Sequence, residues 1–281
     1  MHCPPHIFGY ELAQPLGGGP LTVVYAARAC SNDSSCAVKL LRPDWEDQPT
    51  GVKLLQREAR VGLKVRHPHL VRLLEAHVTR PPYYLVMELL AGESLRQRMR
   101  REYRLDVPTT LWIGRQIAEA LAALHRASFL HGDVKPDNIH LAADSRAVLI
   151  DLGFAHRPGE NAAFLRSGYV LGTANYLAPE LCRLQPTVDQ SSDVFSLGAT
   201  LFEMLTGSLP YPPGSLDQIF RRHSCDPPAD IRLHLPLLAP PLERLIERMM
   251  AHKPADRPRA NQVVRQLIGL EIAAMSVRHT A

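Results

Sequence analysis

The sequence has no cysteine pair at C-x-x-C spacing, and its five cysteines (positions 3, 30, 36, 182 and 225) are odd in number. That argues against a zinc ribbon or a complete disulfide framework and favours free thiols in a reducing compartment. No apolar run approaches the length of a membrane span, and the opening MHCPPHIF lacks the apolar core of a secretion signal. Net charge is only +4, too small for a strong polyanion-binding field. A modest basic cluster (Arg96, Arg98, Arg100, Arg101, Arg104) reads as a solvated helix face rather than a nucleic-acid patch. The thirteen histidines are dispersed; His67 and His69 flank Pro68 without a further ligand at metal spacing. Internal repeats and low-complexity tails are missing. The expectation is a cytoplasmic protein with neither nucleic-acid nor membrane partners. Oligomeric state stays open.

What is present is an ordinary folded composition, 46% hydrophobic and 21% charged over 281 residues. That length suits one large domain or two lobes sharing a cleft. Residues 8–87 read as a small β-rich lobe. YELAQPLGGGP and LTVVYAARA form two strands around a Gly/Pro turn, and CAVKLL forms a third after the turn SNDSS. A helix spans roughly 50–66 and stops before Pro68. YYLVMELL is an apolar strand, followed by a short connector, AGES. The remainder is mainly helical. Thr109 and Thr110 are candidate caps for a helix carrying Ile113, Ile117, Leu121 and Leu124 at helical spacing. DVFSLGATLFEMLTG is apolar on nearly all sides and so belongs in the centre of the larger lobe. ERLIERMM and ANQVVRQLIGL are outer helices.

Several motifs carry chemistry. In LGGGPLTVVY (Leu16–Tyr25), glycines let a hairpin fold over a phosphate chain at close range. Gly17, Gly19 and Val24 fit G-x-G-x-x-G-x-V, while Thr22 stands at the third glycine. Lys39 ends AVK on a strand and supplies a point positive charge; Glu58 on the following helix is placed to pair with it. HGDVKPDN (131–138) offers Asp133 to orient or deprotonate a hydroxyl and Asn138 to bind Mg²⁺ through its carbonyl. VLIDLGFA puts Asp151 at the end of an apolar strand as a second oxygen ligand.

This ordered set resembles the protein-kinase family, serine/threonine type, and its compact loops resemble bacterial members. The resemblance covers about Phe8 to Leu270. It is reinforced by GTANYLAPE (172–180), SSDVFSLG with Asp193, and DRP with Arg257. It implies a bilobal α+β fold: N-lobe 8–87, hinge 88–92, C-lobe 93–270 and a short tail 271–281. It further implies an enzyme using ATP and Mg²⁺ to phosphorylate protein Ser/Thr residues, with autophosphorylation. Leu16, Gly17, Gly19, Val24 and Ala37 would enclose the nucleotide. Met87 would guard the back of the adenine pocket, with the Glu88 and Leu90 backbones bonding adenine. Lys39 would hold the α/β phosphates, positioned by Glu58. Asp133 would be the catalytic base, Lys135 would contact the γ-phosphate, and Asn138 and Asp151 would bind Mg²⁺. Lys135 and Thr173 favour Ser/Thr over Tyr acceptors. Structurally, Asp193 would brace the catalytic loop and Arg257 would pair with Glu180.

Four positions depart from the family pattern. Gly132 replaces the Arg that receives an activation-loop phosphate in many kinases, so activation need not wait for that partner. Leu152 replaces Phe of D-F-G. Thr22 is expected to stiffen the phosphate loop. Gly62 stands where a bulky apolar residue packs the Glu58 helix, which predicts a loosely held helix and a gain in basal activity for Gly62→Leu. Gly132 alone would suit a small-molecule phosphotransferase of the aminoglycoside or choline type, but Lys135 and GTANYLAPE oppose that. A catalytically weak scaffold is the other alternative, opposed by retention of Lys39, Asp133 and Asp151. Ser167, after Arg166, is the candidate autophosphorylation position in a segment that also holds Tyr169. Without a sensor segment, input would come through the kinase surface, a partner or the substrate.

Overall fold

The computed structural model describes residues 7–166, 171–185 and 188–278; Ser167 and Tyr169 lie outside them. Strands β1 (Tyr10–Gly18), β2 (Thr22–Ala29) and β3 (Ser35–Leu41) form consecutive antiparallel hairpins. Helix α1 (Pro49–Lys64) follows, then β4 (Leu73–His77) and β5 (Tyr84–Glu88). The five strands make one sheet in the order β1-β2-β3-β5-β4. Strand β4 is absent from the sequence expectation, since LLEAH alternates poorly and gains its place only by pairing with β5.

Every residue of β3 after Ser35 is buried, because both faces of the sheet are covered. Val38 and Leu40 face a cluster with Ala27, Tyr84 and Val86. Leu41, on the opposite face, packs with Leu55 and Ala59 of α1 and with Leu73 and Leu85. The period of two therefore puts Ala37 and Lys39 on the α1 side. Helix α1 opens with Pro at its first position and ends where Val65 turns extended.

The second lobe begins with β6 (Gly92–Ser94) and α2 (Leu95–Glu102), whose Ser94 and Gln97 form a capping box. Helix α3 (Val107–Arg126) is capped by Asp106, whose carboxylate accepts the Thr109 N–H at 2.8 Å. The expected caps Thr109 and Thr110 lie inside the helix, and Thr110 is buried. Strands β7 (Ile139–Ala142) and β8 (Ala147–Leu149) complete a small sheet with β6. Then come α4 (Ala162–Arg166), α5 (Pro179–Cys182), α6 (Ser191–Thr206), α7 (Leu216–Cys225), α8 (Pro240–Met249) and α9 (Ala260–Arg278). Helix α6 is buried from Ser192 to Thr206 except at Ser196, as its all-round apolarity predicts. The segment expected as a tail from 271 continues α9 instead, and Glu271 accepts from Arg115 Nε at 2.9 Å.

The basic cluster is not simply a solvated face. Arg98 pairs with Glu102 and Arg101 with Glu93, while Arg96 turns inward to Glu203 at 2.7 Å. The lobes join where the Val71 N–H donates to the Leu149 carbonyl at 3.0 Å and the Leu149 N–H to the His69 carbonyl at 2.9 Å. Among the described residues, no helix is long and apolar enough to cross a membrane.

Candidate active site

Lys39 is 7% exposed and projects from β3 toward α1. Its ammonium donates to both Glu58 oxygens at 2.9 and 2.8 Å and to Asp151 Oδ1 at 2.6 Å. Burial alone would push the Lys39 ammonium down; the charges of Asp151 and Glu58 overcome that and hold it above the ordinary lysine range. Burial raises the Glu58 carboxyl, against the pull of Lys39. Asp151 would also rise by burial, but Lys39 and the Gly153 N–H bring it down to about 2. Thus Lys39 and Asp151 are both charged at neutral pH, joining β3, α1 and the strand end across the interlobe cleft.

The glycine turn lies on the strand pair beside Lys39, Gly17 pairing with Val24 and Val24 with Lys39. Gly19 N–H donates to the Thr22 carbonyl at 2.9 Å, and Arg42 Nε donates to the Gly19 carbonyl at 3.1 Å. A Cβ on Gly17 or Gly19 would meet nothing within 4 Å, leaving their backbone approachable. Gly18, which the motif does not single out, has no such freedom: its Cβ would fall 2.5 Å from the Thr22 carbonyl oxygen. Only the folded hairpin reveals that contact. Val24 pairs with Lys39, and Ala37 with Met87, so these four positions are neighbours across β2, β3 and β5. Leu16 is 51% exposed. The Glu88 N–H donates to the Arg72 carbonyl at 3.0 Å. Leu90 lies just beyond the end of β5.

Below the cleft, Asp133 is 4% exposed. Its Oδ2 lies 2.7 Å from Lys135 Nζ and accepts from Asn138 Nδ2 at 2.9 Å. Its Oδ1 is buried without a partner among the described residues. A buried carboxylate oxygen left unpaired is costly unless a ligand satisfies it. Lys135 Nζ also donates to Thr173 Oγ1 at 2.5 Å, tying the 131–138 loop to GTANYLAPE. Asn138 Nδ2 bonds the Asp133 carbonyl as well, at 2.8 Å. With its nitrogen so engaged, the amide's carbonyl oxygen is the atom that could serve a cation. Asn138 and Asp151 are both oxygen donors of the kind Mg²⁺ takes, and the Asp151 side chain is 40% exposed to the cleft.

The loop is braced from beneath. Asp193 of α6 accepts the His131 N–H at 2.8 Å, the Gly132 N–H at 2.9 Å and His125 Nε2 at 2.9 Å. Burial works against its charge, and His125 and these donors keep the carboxyl below the usual range. Arg257 donates to both oxygens of buried Glu180, at 2.7 and 2.8 Å, and stacks 5.0 Å from the Phe195 ring centroid. Sequence reading missed His125 and His131 as part of this brace. It also missed the Arg96–Glu203–Tyr176 group, in which the Tyr176 hydroxyl donates to Glu203 at 2.6 Å. Nothing in the local sequence marks those three as neighbours.

The loosely held α1 expected from Gly62 is not what the structure contains. A Cβ at 62 would lie 3.0 Å from Leu73 Cβ and 3.6 Å from Leu152 Cδ1. Leu73 of the unforeseen β4, together with Leu152, fills the space assigned to a larger residue 62. A separate cavity of about 530 Å³ near Phe202, Pro228, Ile246 and Met250 contains none of the site residues.

The protein kinase domain family matches residues 10–267. Similar proteins include the serine/threonine-protein kinase PknD of Mycobacterium tuberculosis, 32% identical over 88% of this chain and 37% of that protein. Another is pkn3 of Myxococcus xanthus, 30% identical over 89% of this chain and 48% of that protein. PknK of M. tuberculosis is 38% identical over 89% of this chain and 22% of that protein. This chain belongs to the protein kinase domain family. It spans less than half the length of these relatives.

Proposed function

We propose that this chain transfers the γ-phosphoryl group of ATP to Ser or Thr hydroxyls of protein substrates. The observation that carries the reading is Asp133: one oxygen held by Lys135 and Asn138, the other buried and unpaired. A substrate hydroxyl would satisfy that oxygen and give up its proton to it. As the hydroxyl oxygen bonds the γ-phosphorus, the bond from that phosphorus to the β–γ bridging oxygen breaks and ADP leaves. Lys135 neutralises charge on the transferring group, and its bond to Thr173 supports Ser/Thr acceptors. Lys39, steadied by Glu58, holds the α/β phosphates under Gly17 and Gly19. Leu16, Val24, Ala37 and Met87 enclose adenine, which bonds the Glu88 and Leu90 backbones. Mg²⁺, held by Asn138 and Asp151, would neutralise phosphate charge. The chain's contribution is positioning and preorganised charge. The cytoplasm, where ATP is abundant and the free thiols of Cys30, Cys36, Cys182 and Cys225 persist, is its proposed location.

The test is transfer of label from Mg·[γ-³²P]ATP into a protein mixture, followed by phosphoamino-acid identification, with Asp133→Asn as control. Label on Ser/Thr that disappears in the variant supports the reading. Label confined to an aminoglycoside or choline, or nucleotide-independent partner binding without transfer, overturns it.

A further inference from the structure

The sequence RPGEN, residues 157–161, makes a tight turn directly after the bridge between Leu130 and His156. Gly159 has φ +83°, and the Glu160 N–H donates to the Arg157 carbonyl at 3.1 Å. This is the pattern of a type II turn, with Pro and Gly at its central positions. The Glu160 carboxylate closes the same turn by accepting the Arg157 N–H at 2.7 Å. Its direction is therefore fixed by backbone geometry. From there it accepts Arg60 Nη2 at 2.7 and 2.8 Å. The neighbouring Asn161, which is buried, accepts Arg57 Nη1 at 2.7 Å.

Arg57 and Arg60 lie on α1 either side of Glu58. One turn of that helix thus carries the Glu58–Lys39 pair and both ties to the 157–161 turn. The surrounding charge makes Glu160 matter more than a solitary surface pair. Arg60, Lys64 and Arg157 lie 5.7, 5.7 and 5.5 Å from the Phe129 ring centroid. Two of these cations belong to α1 and one to the segment, so their repulsion acts to part the two elements. Among the described residues, Glu160 is the acid ion-paired in this group, and its side chain is 27% exposed. Burial would raise its carboxyl, but the Arg157 N–H, Arg60 and Arg57 hold it below the usual range.

We propose that Glu160 is a positioning residue for phosphoryl transfer. Through Arg60, it keeps α1, and with it Glu58 on Lys39, in the assembled position, so that no phosphate on the segment is needed to hold the helix. Gly132, with no side chain to receive such a phosphate, fits the same arrangement. The inference rests on the phosphotransfer reading above.

The experiment compares phosphatase-treated wild type with E160Q, E160D, R60E and the R60E/E160R double variant. It measures kcat, KM for ATP, and hydrogen exchange of the α1 peptides. E160Q is expected to lose about two- to fivefold in kcat, the scale of one partly exposed ion pair, with a smaller change in KM. E160D should retain more activity than E160Q, and the double variant should exceed R60E. Exchange in α1 should quicken in E160Q, while phosphatase-treated wild type keeps its rate. Equal kcat and equal α1 exchange for E160Q and wild type would overturn the proposal. So would a double variant no better than R60E, or a wild type that depends on segment phosphorylation. If wild type transfers no phosphate at all, the functional reading fails. Exchange then decides the clamp alone: faster α1 exchange in E160Q supports it and unchanged exchange overturns it.

Discussion

The Asp193 carboxylate accepts the Gly132 backbone N–H at 2.9 Å. That bond belongs to a loop in which Gly132 has φ +81°, and a Cβ there would lie 2.9 Å from the Phe154 carbonyl oxygen. Restoring the family's Arg by Gly132→Arg should therefore strain the backbone, at roughly 1–2 kcal/mol for the left-handed conformation alone. The thermal midpoint is expected to fall by about 2–6 °C. An unchanged or higher midpoint in a thermal melt would mean the loop adapts freely.

Gly62→Leu is expected to lower both activity and stability, the reverse of what the family pattern suggests. The added side chain would meet Leu73 and Leu152, whose atoms already lie 3.0–3.6 Å from a Cβ at this site. Overpacking of this kind costs about 1–3 kcal/mol, and displacement of α1 would weaken the Glu58–Lys39 pair. Urea titration with a parallel kinase assay checks it; a gain in activity at equal stability would contradict the packing described.

The candidate groups were legible in the sequence because they sit in short, ordered motifs. Lys39 stands on an apolar strand, and the fold joins it to Glu58 and Asp151. Asp133 and Asn138, five residues apart, share a hydrogen bond. What was not legible depended on partners distant along the chain. Gly18 is constrained by the carbonyl of Thr22 across a hairpin, and Gly62 by Leu73 on a strand with no clear alternation. Arg96 reads as one more surface arginine until α6 brings Glu203 beneath it. The end of α9 looked like a tail because Arg115, which binds Glu271, lies 156 residues earlier.

Arg257→Ala should be among the most destabilising single changes. Glu180 is 2% exposed and both its oxygens bond Arg257. Removing the guanidinium strands a buried charge at about 3–5 kcal/mol. Arg257→Met combined with Glu180→Gln should recover a large part of that loss. Chemical denaturation of the single and double variants distinguishes this from a weak pair, for which the single change would cost under about 1 kcal/mol.

His223 should give the fold part of its acid sensitivity. It is fully buried, its Nδ1 bonds the Leu177 carbonyl at 2.7 Å, and its ring stacks 4.1 Å from Tyr211. Burial lowers its pKa to about 4, despite the Leu177 bond. The unfolded chain takes up this proton near pH 6.5, before the folded one does. Stability is therefore unaffected above that pH and falls as pH drops from about 6.5 toward 4. At pH 5 the loss from this residue is about 2 kcal/mol. His223→Gln should flatten the decline in thermal midpoint between pH 7 and pH 5; an unaltered slope would show that His223 is not a source of it.

In the proposed reaction, Asp133 receives the acceptor hydroxyl through its unpaired buried oxygen for transfer from ATP. The most direct measurement is the single-turnover rate of Mg·ATP-dependent Ser/Thr phosphorylation by wild type and Asp133→Asn, with nucleotide affinity measured on both. The rate of Asp133→Asn is expected to be lower by about 10² or more at nearly equal nucleotide affinity. Equal rates, or label that never reaches a protein hydroxyl, would contradict it.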